Sequence, residues 1–426
     1  MNRPLRMNDP STHRSDSLPK AGLPASLRSR IALRIASSRD PLARLLAGGA
    51  LELYYEVGDA HSQLCAALAR RLLPRLKIDL VIRLVPAPDA RTYPEETRQR
   101  EFALLDAQRI APCHGLPPPQ PVAADQREAM EAQLARADSA AAFLDIEQRC
   151  LQQLAQQQTL TPPRVEAIAH SKALLHRHAK RRTRLGHYLP AMWQYRGEWF
   201  WALDRLEFLH QRLIADRALL SEVALSHIDA SRLPLPPPAG QAPLEFWFSF
   251  RSPYSYLAAV ELLRRGQAST RALQVRPVLP MVMRGLPVPR IKRLYIVRDV
   301  KRSADALGTP FGHIHDPVGE GVRRLLTVYP YDADSATQLR YCAIAAQTVW
   351  AEGLDVCRDD VLHSVLERCG LDWASAAHKL AAGTDTQRAE QDRDALFAAG
   401  LWGVPSFRIG DFATWGQDRL WMIDRL

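Results

Sequence analysis

The segment LEFWFSFRSPYSYLAAVELLRRG, residues 244–266, reads as a buried strand, a sharp turn and a helix. Leu244, Phe246, Phe248 and Phe250 alternate along it with Trp247 on the opposite face, the pattern of a strand covered on both sides. Ser252 stands where a helix N-cap belongs, and Pro253 takes the first helical position, where a missing N–H costs nothing. A helix N-terminus offers unpaired N–H groups and a partial positive charge, so the Ser252 hydroxyl lies where a thiolate or other anion is favoured. Leu257, Val260 and Leu263 continue an apolar stripe until Gly266 ends the helix.

The same pattern occurs earlier, in LELYYEVGDAHSQLCAALARRLL from Leu51. One constant offset pairs Glu52 with Glu245, Ser62 with Ser255, Arg83 with Arg276, Asp106 with Asp299, Arg109 with Arg302 and Gly115 with Gly308. Near the two ends, LPAMWQYRGEWFWALDRL matches VPSFRIGDFATWGQDRL, with Pro190 opposite Pro405 and Asp204 opposite Asp418. Agreement on this scale points to internal duplication of a unit of ordinary domain size.

With 426 residues, 47% of them hydrophobic and 24% charged, the chain is long and apolar enough for two full cores. No apolar run approaches the ~18 residues of a membrane span, and residues 1–40 contain no signal-peptide hydrophobic region, so a cytoplasmic location is expected. Six widely spaced cysteines without a C-x-x-C pair fit reduced thiols. The H-x-H pairs His176 with His178 and His313 with His315 lack a third ligand at metal-site spacing and read as surface histidines, so no metal is expected. The net charge of +10 gathers in the amino-terminal arm and in a run holding Lys172, Arg177, Lys180, Arg181, Arg182 and Arg184. Without aromatic interleaving or a reading motif, that run is expected to be a solvated face with no specific nucleic-acid partner.

Four segments follow. Residues 1–46 form a basic arm, disordered to about 27 and then short-helical; 47–215 form a first unit with a second strand over 76–85 and a long helical stretch over 123–180. Residues 216–243 end a helix and supply the proline-rich spacer Leu233–Pro243; 244–426 form the second unit, with a second strand at Leu273–Val278, a helical insertion, strands SFRI and FATW, and a final helix. The order suggests an α/β class with two tandem thioredoxin-like domains, each carrying an inserted helical subdomain.

At SPYSYLA, RPVLPMVMRGLPVPRIKRLYIVRDVKRSADALG and GVPSFRIGDFATWGQDRL the second unit resembles the DsbA-like superfamily, in its branch of 2-hydroxychromene-2-carboxylate isomerases and kappa-class glutathione transferases. The resemblance implies that Ser252 is the catalytic residue, donating a hydrogen bond to the sulfur of glutathione and holding it as thiolate. It implies that Val404 pairs its backbone with the tripeptide just before a cis Pro405, and that Asp418, with Gln417 beside it, receives the γ-glutamyl amine. Tyr254 and Lys292 are the candidates for contact with a small-molecule second substrate. The activity implied is glutathione-dependent isomerisation or conjugation of an aromatic, carbonyl-bearing compound, and, since the family includes dimers, the two units are expected to pair as an intramolecular pseudo-dimer.

The departures keep two other classes open. Dithiol members carry cysteines where Ser252 and Ser255 stand, so a thiol-disulfide oxidoreductase would have to work without that pair. Asp59 stands in the first unit where Ser252 stands in the second and would repel a thiolate, and Arg251 is an unusual charge before the presumed catalytic serine. Both features fit a binding protein that has lost turnover. Cys65 reads as a core thiol.

Overall fold

The computed structural model describes residues 46–220, 228–236, 240–266, 271–383 and 386–426. The disordered arm expected to about 27, nearly all of the short helices expected after it and residues 237–239 of the proline-rich spacer lie outside the described residues. The described residues run first through β1 (Leu51–Tyr55), α1 (Ala60–Leu72) and β2 (Leu80–Leu84). Helices α2 (Glu96–Cys113), α3 (Ala124–Leu134), α4 (Ala140–Ala155) and α5 (Val165–Arg184) follow, then the hairpin β3 (Met192–Tyr195) and β4 (Glu198–Trp201) and helix α6 (Leu206–Ala215). The second half runs β5 (Leu244–Phe248), α7 (Pro253–Arg265), β6 (Leu273–Pro277) and α8 (Arg290–Ala306). It continues with α9 (Glu320–Thr327), α10 (Ser335–Trp350), α11 (Asp359–Arg368), α12 (Trp373–Ala381) and α13 (Gln387–Ala398), and closes with β7 (Ser406–Ile409), β8 (Phe412–Trp415) and α14 (Leu420–Ile423).

These elements build two mixed sheets of four strands, in the orders β2-β1-β3-β4 and β6-β5-β7-β8. In each, the first strand pairs in parallel with the second, which a helical crossover permits, and antiparallel with the first strand of the hairpin. The aromatic alternation of β5 explains its central place. Phe246, Trp247 and Phe248 are fully buried, and Phe246 stacks on Phe407 of the neighbouring strand at 5.2 Å between ring centroids. Burying each such ring contributes about 1.5–3 kcal/mol. The glutamates at the second position of both central strands are buried but not stranded: Arg83 lies 3.0 Å from Glu52, and Arg276 lies 2.7 Å from Glu245.

Several sequence expectations need correction. The second strand starts at Leu80 rather than residue 76, because a 3-10 turn over Leu73–Arg75 carries the chain out of α1 and Leu76 bridges to Leu219 instead. The stretch 123–180 is three helices. Ser139 caps α4 by accepting the Ala142 N–H at 3.2 Å, and Pro162 and Pro163, which lack a donor, separate α4 from α5. Leu263 is 37% exposed, so the buried face of α7 is Tyr256, Leu257 and Ala259, packed against α10. The basic run is not wholly solvated: Arg181 reaches Glu52 at 2.7 Å, and Arg182 is buried. His178 is no surface histidine, since its Nδ1 lies 3.0 Å from the Leu84 carbonyl and burial lowers its pKa to about 4. Among the described residues no cluster could hold a metal ion, and no helix is long and apolar enough to cross a membrane.

Contacts between the halves come in reciprocal pairs. Arg205, after β4, clamps Asp299 of α8 through Nε at 2.9 Å and Nη2 at 2.7 Å. Arg419, after β8, clamps Asp106 of α2 through Nε at 2.8 Å and Nη2 at 2.7 Å. Each arginine then turns Nη1 to the aspartate preceding the other: Arg205 to Asp418 at 2.9 Å, and Arg419 to Asp204 at 2.6 Å. Asp204 therefore serves this network and caps no helix. The Arg109 guanidinium donates to the Ala413 carbonyl at 2.7 Å, and that of Arg302 donates to the Trp199 carbonyl at 3.0 Å. Fork-to-fork geometry of this kind satisfies charges that are almost wholly removed from water.

Candidate functional site

The turn between β5 and α7 places Ser252 as expected. Its hydroxyl caps the helix by accepting the Ser255 N–H at 3.1 Å, with Pro253 next to it in the first turn. The same hydroxyl donates to the Val404 carbonyl at 3.4 Å, a long bond that leaves it free to turn toward a better acceptor. The Val404–Pro405 peptide bond is cis. The chain can approach here only because residue 403 is glycine: a Cβ on Gly403 would lie 2.8 Å from the Trp415 indole nitrogen. Helix α7, the segment before β7 and β8 thus bring Ser252, Val404 and Pro405 together.

Arg251 proves to be neutralised, with Nε 2.7 Å and Nη2 2.8 Å from the two oxygens of Asp316. It therefore leaves the dipole of α7 free to act on a ligand at Ser252.

The remaining candidates spread into the junction between halves. Asp418 and Gln417, in the 3-10 turn Gln417–Arg419, line a cavity of about 210 Å³ together with Asp204, Arg205 and Phe208 of the first half. Ser252 does not line that cavity. Burial pushes the Asp418 carboxyl up to about 6, and Asp204 adds to the rise while Arg205 opposes it. Tyr254 donates to Asp299 at 2.8 Å, and burial with that carboxylate beside it raises the phenol well above its ordinary value. Lys292 donates to the Thr92 carbonyl of the first half at 3.0 Å, and burial lowers its ammonium to about 8. Arg205, Asp299 and Asp316 were not singled out by sequence reasoning, although the offset that matched Asp106 with Asp299, and the two Asp-Arg pairs, already marked the first two.

The first half lacks the matching chemistry. Asp59 caps α1 by accepting the Ser62 N–H at 2.7 Å. The sequence pairing of Pro190 with Pro405 is one residue out: Gln194 pairs with Glu52 as Arg408 pairs with Glu245, which sets Ala191 in the position of Pro405. Ala202 N–H reaches the Ala191 carbonyl at 2.7 Å as Gly416 N–H reaches that of Pro405 at 2.8 Å. Cys65 is fully buried with its thiol 3.9 Å from the Ala191 carbonyl, and burial raises its pKa well above the ordinary thiol value. Of the six thiols only Cys357 is exposed, so a water-soluble disulfide reagent should label one thiol in the native protein and six after denaturation; faster labelling of several would contradict this burial.

Residues 243–426 match the family model of the DSBA-like thioredoxin domain. The C-terminal part is a DsbA-like thioredoxin domain. This domain is homologous to 2-hydroxychromene-2-carboxylate isomerases: the chain is 28% identical to the enzyme of that name from Pseudomonas putida over 189 residues, 42% of this chain and 92% of the relative. It is 27% identical to the one from Pseudomonas sp. (strain C18), covering 42% of this chain and 88% of the relative. A solved structure of 2-hydroxychromene-2-carboxylate isomerase is 26% identical with a TM-score of 0.38, over 43% of this chain and 92% of that one.

Proposed function

We propose that the DsbA-like domain binds glutathione and uses it to isomerise or conjugate an aromatic, carbonyl-bearing small molecule. The observation that carries this reading is the seating of the Ser252 hydroxyl on the N-terminus of α7, 3.4 Å from the carbonyl that precedes Pro405. Bound glutathione would supply a thiolate that adds to a conjugated double bond and, after rotation about the resulting single bond, is expelled as that double bond re-forms. The protein's part is electrostatic. Ser252 and the helix N-terminus hold negative charge on sulfur, the backbone at Val404 aligns the tripeptide, and Asp418 with Gln417 takes the γ-glutamyl ammonium. In this reading Tyr254 and Lys292 are the residues that would meet the second substrate, Lys292 with an ammonium made easier to deprotonate by burial. The absence of cysteine at 252 and 255 stands against dithiol exchange. A cytoplasmic location belongs to the same reading.

The matched strand orders and reciprocal ion pairs support the further reading that the chain is a tandem duplication folded as an intramolecular pseudo-dimer. The first unit is then a degenerate copy, with Asp59 and Ala191 where the second has Ser252 and Pro405, and its role is to complete the junction. Turnover of 2-hydroxychromene-2-carboxylate, followed by absorbance, should require added glutathione; equal rates with and without it would remove this reading.

The Asp418 carboxyl, raised to about 6, sets a pH dependence. An ammonium is held by the carboxylate and not by the acid, so glutathione affinity should rise from pH 5 to 7 and level off above. In Asp418→Asn the binding should be about tenfold weaker at pH 7 and flat across this range, as expected for loss of one charge-assisted hydrogen bond. A wild-type profile without this rise would contradict the role of Asp418.

A further inference from the structure

We propose that Arg182, His187 and Tyr295 form a binding site for a small carboxylate where α5 and the loop after it meet α8. All three present donors to the interior, and among the described residues none of these donors has an acceptor. Arg182 is 5% exposed with Nε and Nη1 unpartnered, His187 is fully buried with Nε2 unpartnered, and the buried hydroxyl of Tyr295 is unpartnered as well. The His187 tautomer follows from its other nitrogen, which accepts the Leu189 N–H at 3.1 Å, so the free Nε2 carries the proton. The groups adjoin one another. The His187 and Tyr295 rings meet edge to face at 4.3 Å between centroids, and the His187 N–H bonds the Arg182 carbonyl at 3.1 Å.

The other half supplies the comparison. At the spacing that pairs β3 with β7, Arg182 corresponds to Leu396 and His187 to Leu401; the Leu401 N–H bonds the Leu396 carbonyl at 3.1 Å in the same way. At the spacing that pairs Asp106 with Asp299, Tyr295 corresponds to Phe102. Phe102, Leu396 and Leu401 pack together as an apolar cluster behind the second sheet. The fold therefore needs nothing polar at these positions, yet one copy holds three donors there and the other none.

The chemistry selects the occupant. A water molecule accepts two hydrogen bonds and brings two donors of its own, for which the Tyr295 hydroxyl oxygen is the single acceptor among these three side chains. A carboxylate brings only acceptor sites and one negative charge. Arg182 supplies a cation to balance it, and the neighbouring carboxylates are already matched by other arginines: Glu56 is held by Arg100 at 2.7 Å and Asp299 by Arg205 at 2.7 Å and Arg302 at 2.6 Å. Tyr188 and Trp199 lie against His187 at 5.0 and 4.8 Å between centroids and give the site aromatic walls.

The test is calorimetric titration of the full-length chain with acetate and benzoate at fixed ionic strength, with chloride and neutral benzamide as controls. A carboxylate should bind once per chain, and at least tenfold more weakly to Arg182→Leu and to His187→Leu, which carry the residues the other half already tolerates. A stronger response to benzoate assigns an aromatic ligand, and a stronger response to acetate an aliphatic one. The triple variant R182L/H187L/Y295F should melt at a higher temperature than the unliganded wild type and ignore both anions. No carboxylate binding, equal binding of benzamide, or undiminished binding by Arg182→Leu overturns the proposal. The site includes neither Ser252 nor Asp418, so failure to bind glutathione leaves it standing.

Discussion

Arg419→Met should destabilise the protein by about 3–5 kcal/mol, the usual cost of breaking a buried ion pair from one side. Arg419 and Asp106 are each about 4% exposed, and the guanidinium takes both Asp106 oxygens and one oxygen of Asp204. Burial alone would raise the Asp106 pKa, but Arg419, His61 and Arg109 hold it below the ordinary carboxylate value. Without the guanidinium that carboxylate must take up a proton or remain charged away from water, and either route favours the unfolded chain. The sign with pH follows. A lowered folded-state pKa gives stability that is complete above the ordinary carboxylate range and is lost as pH falls through the folded value, so wild type and Arg419→Met should converge in strong acid. Denaturant melts at pH 7 and at pH 3 measure this; an unchanged midpoint at pH 7 would show that the clamp does not join the halves. Replacing Asp106 by Leu together with Arg419→Met should recover part of the loss, since most of the cost lies in the stranded carboxylate.

Ser252→Ala should lower glutathione-dependent turnover by about 10- to 100-fold, because a hydrogen bond to a charged group is worth roughly 1.5–3 kcal/mol and each 1.36 kcal/mol is tenfold in rate. The helix cap is lost as well, at a cost of about 1 kcal/mol in stability. The two effects separate in the ultraviolet titration of the bound thiol, whose pKa should rise in Ser252→Ala, whereas loss of the cap alone would leave it in place. Unchanged turnover in the variant would remove Ser252 from the chemistry.

Strands and helix starts were largely legible because each rests on local pattern. The aromatic alternation of Leu244–Phe248, the Ser-Pro start of α7 and the SFRI and FATW strands carry their signals within a few residues. The ion pair of Arg181 with Glu52 and the burial of Arg182 and His178 were not legible, since a basic helical stretch looks alike whether its partners are water or a glutamate on a distant strand. Pairing Pro190 with Pro405 failed for a related reason: identity of residue type outweighed the register that only the strand partners Glu52 and Glu245 define. Of the candidate site, Ser252, Val404 and Pro405 meet because they flank neighbouring strands of one sheet. Asp418 and Lys292 find partners across the junction, in Arg205 and in Thr92, Tyr254 bonds the Asp299 that Arg205 clamps from the other half, and nothing local in the sequence announces such contacts.

Titration of the full-length chain with glutathione by calorimetry tests the central claim most directly. One molecule should bind per chain, because only the second half has a serine at the helix start and a proline after Val404, and Asp418→Ala should weaken that binding while Asp59→Ala leaves it unchanged. Binding of two molecules per chain, or none, would contradict the account.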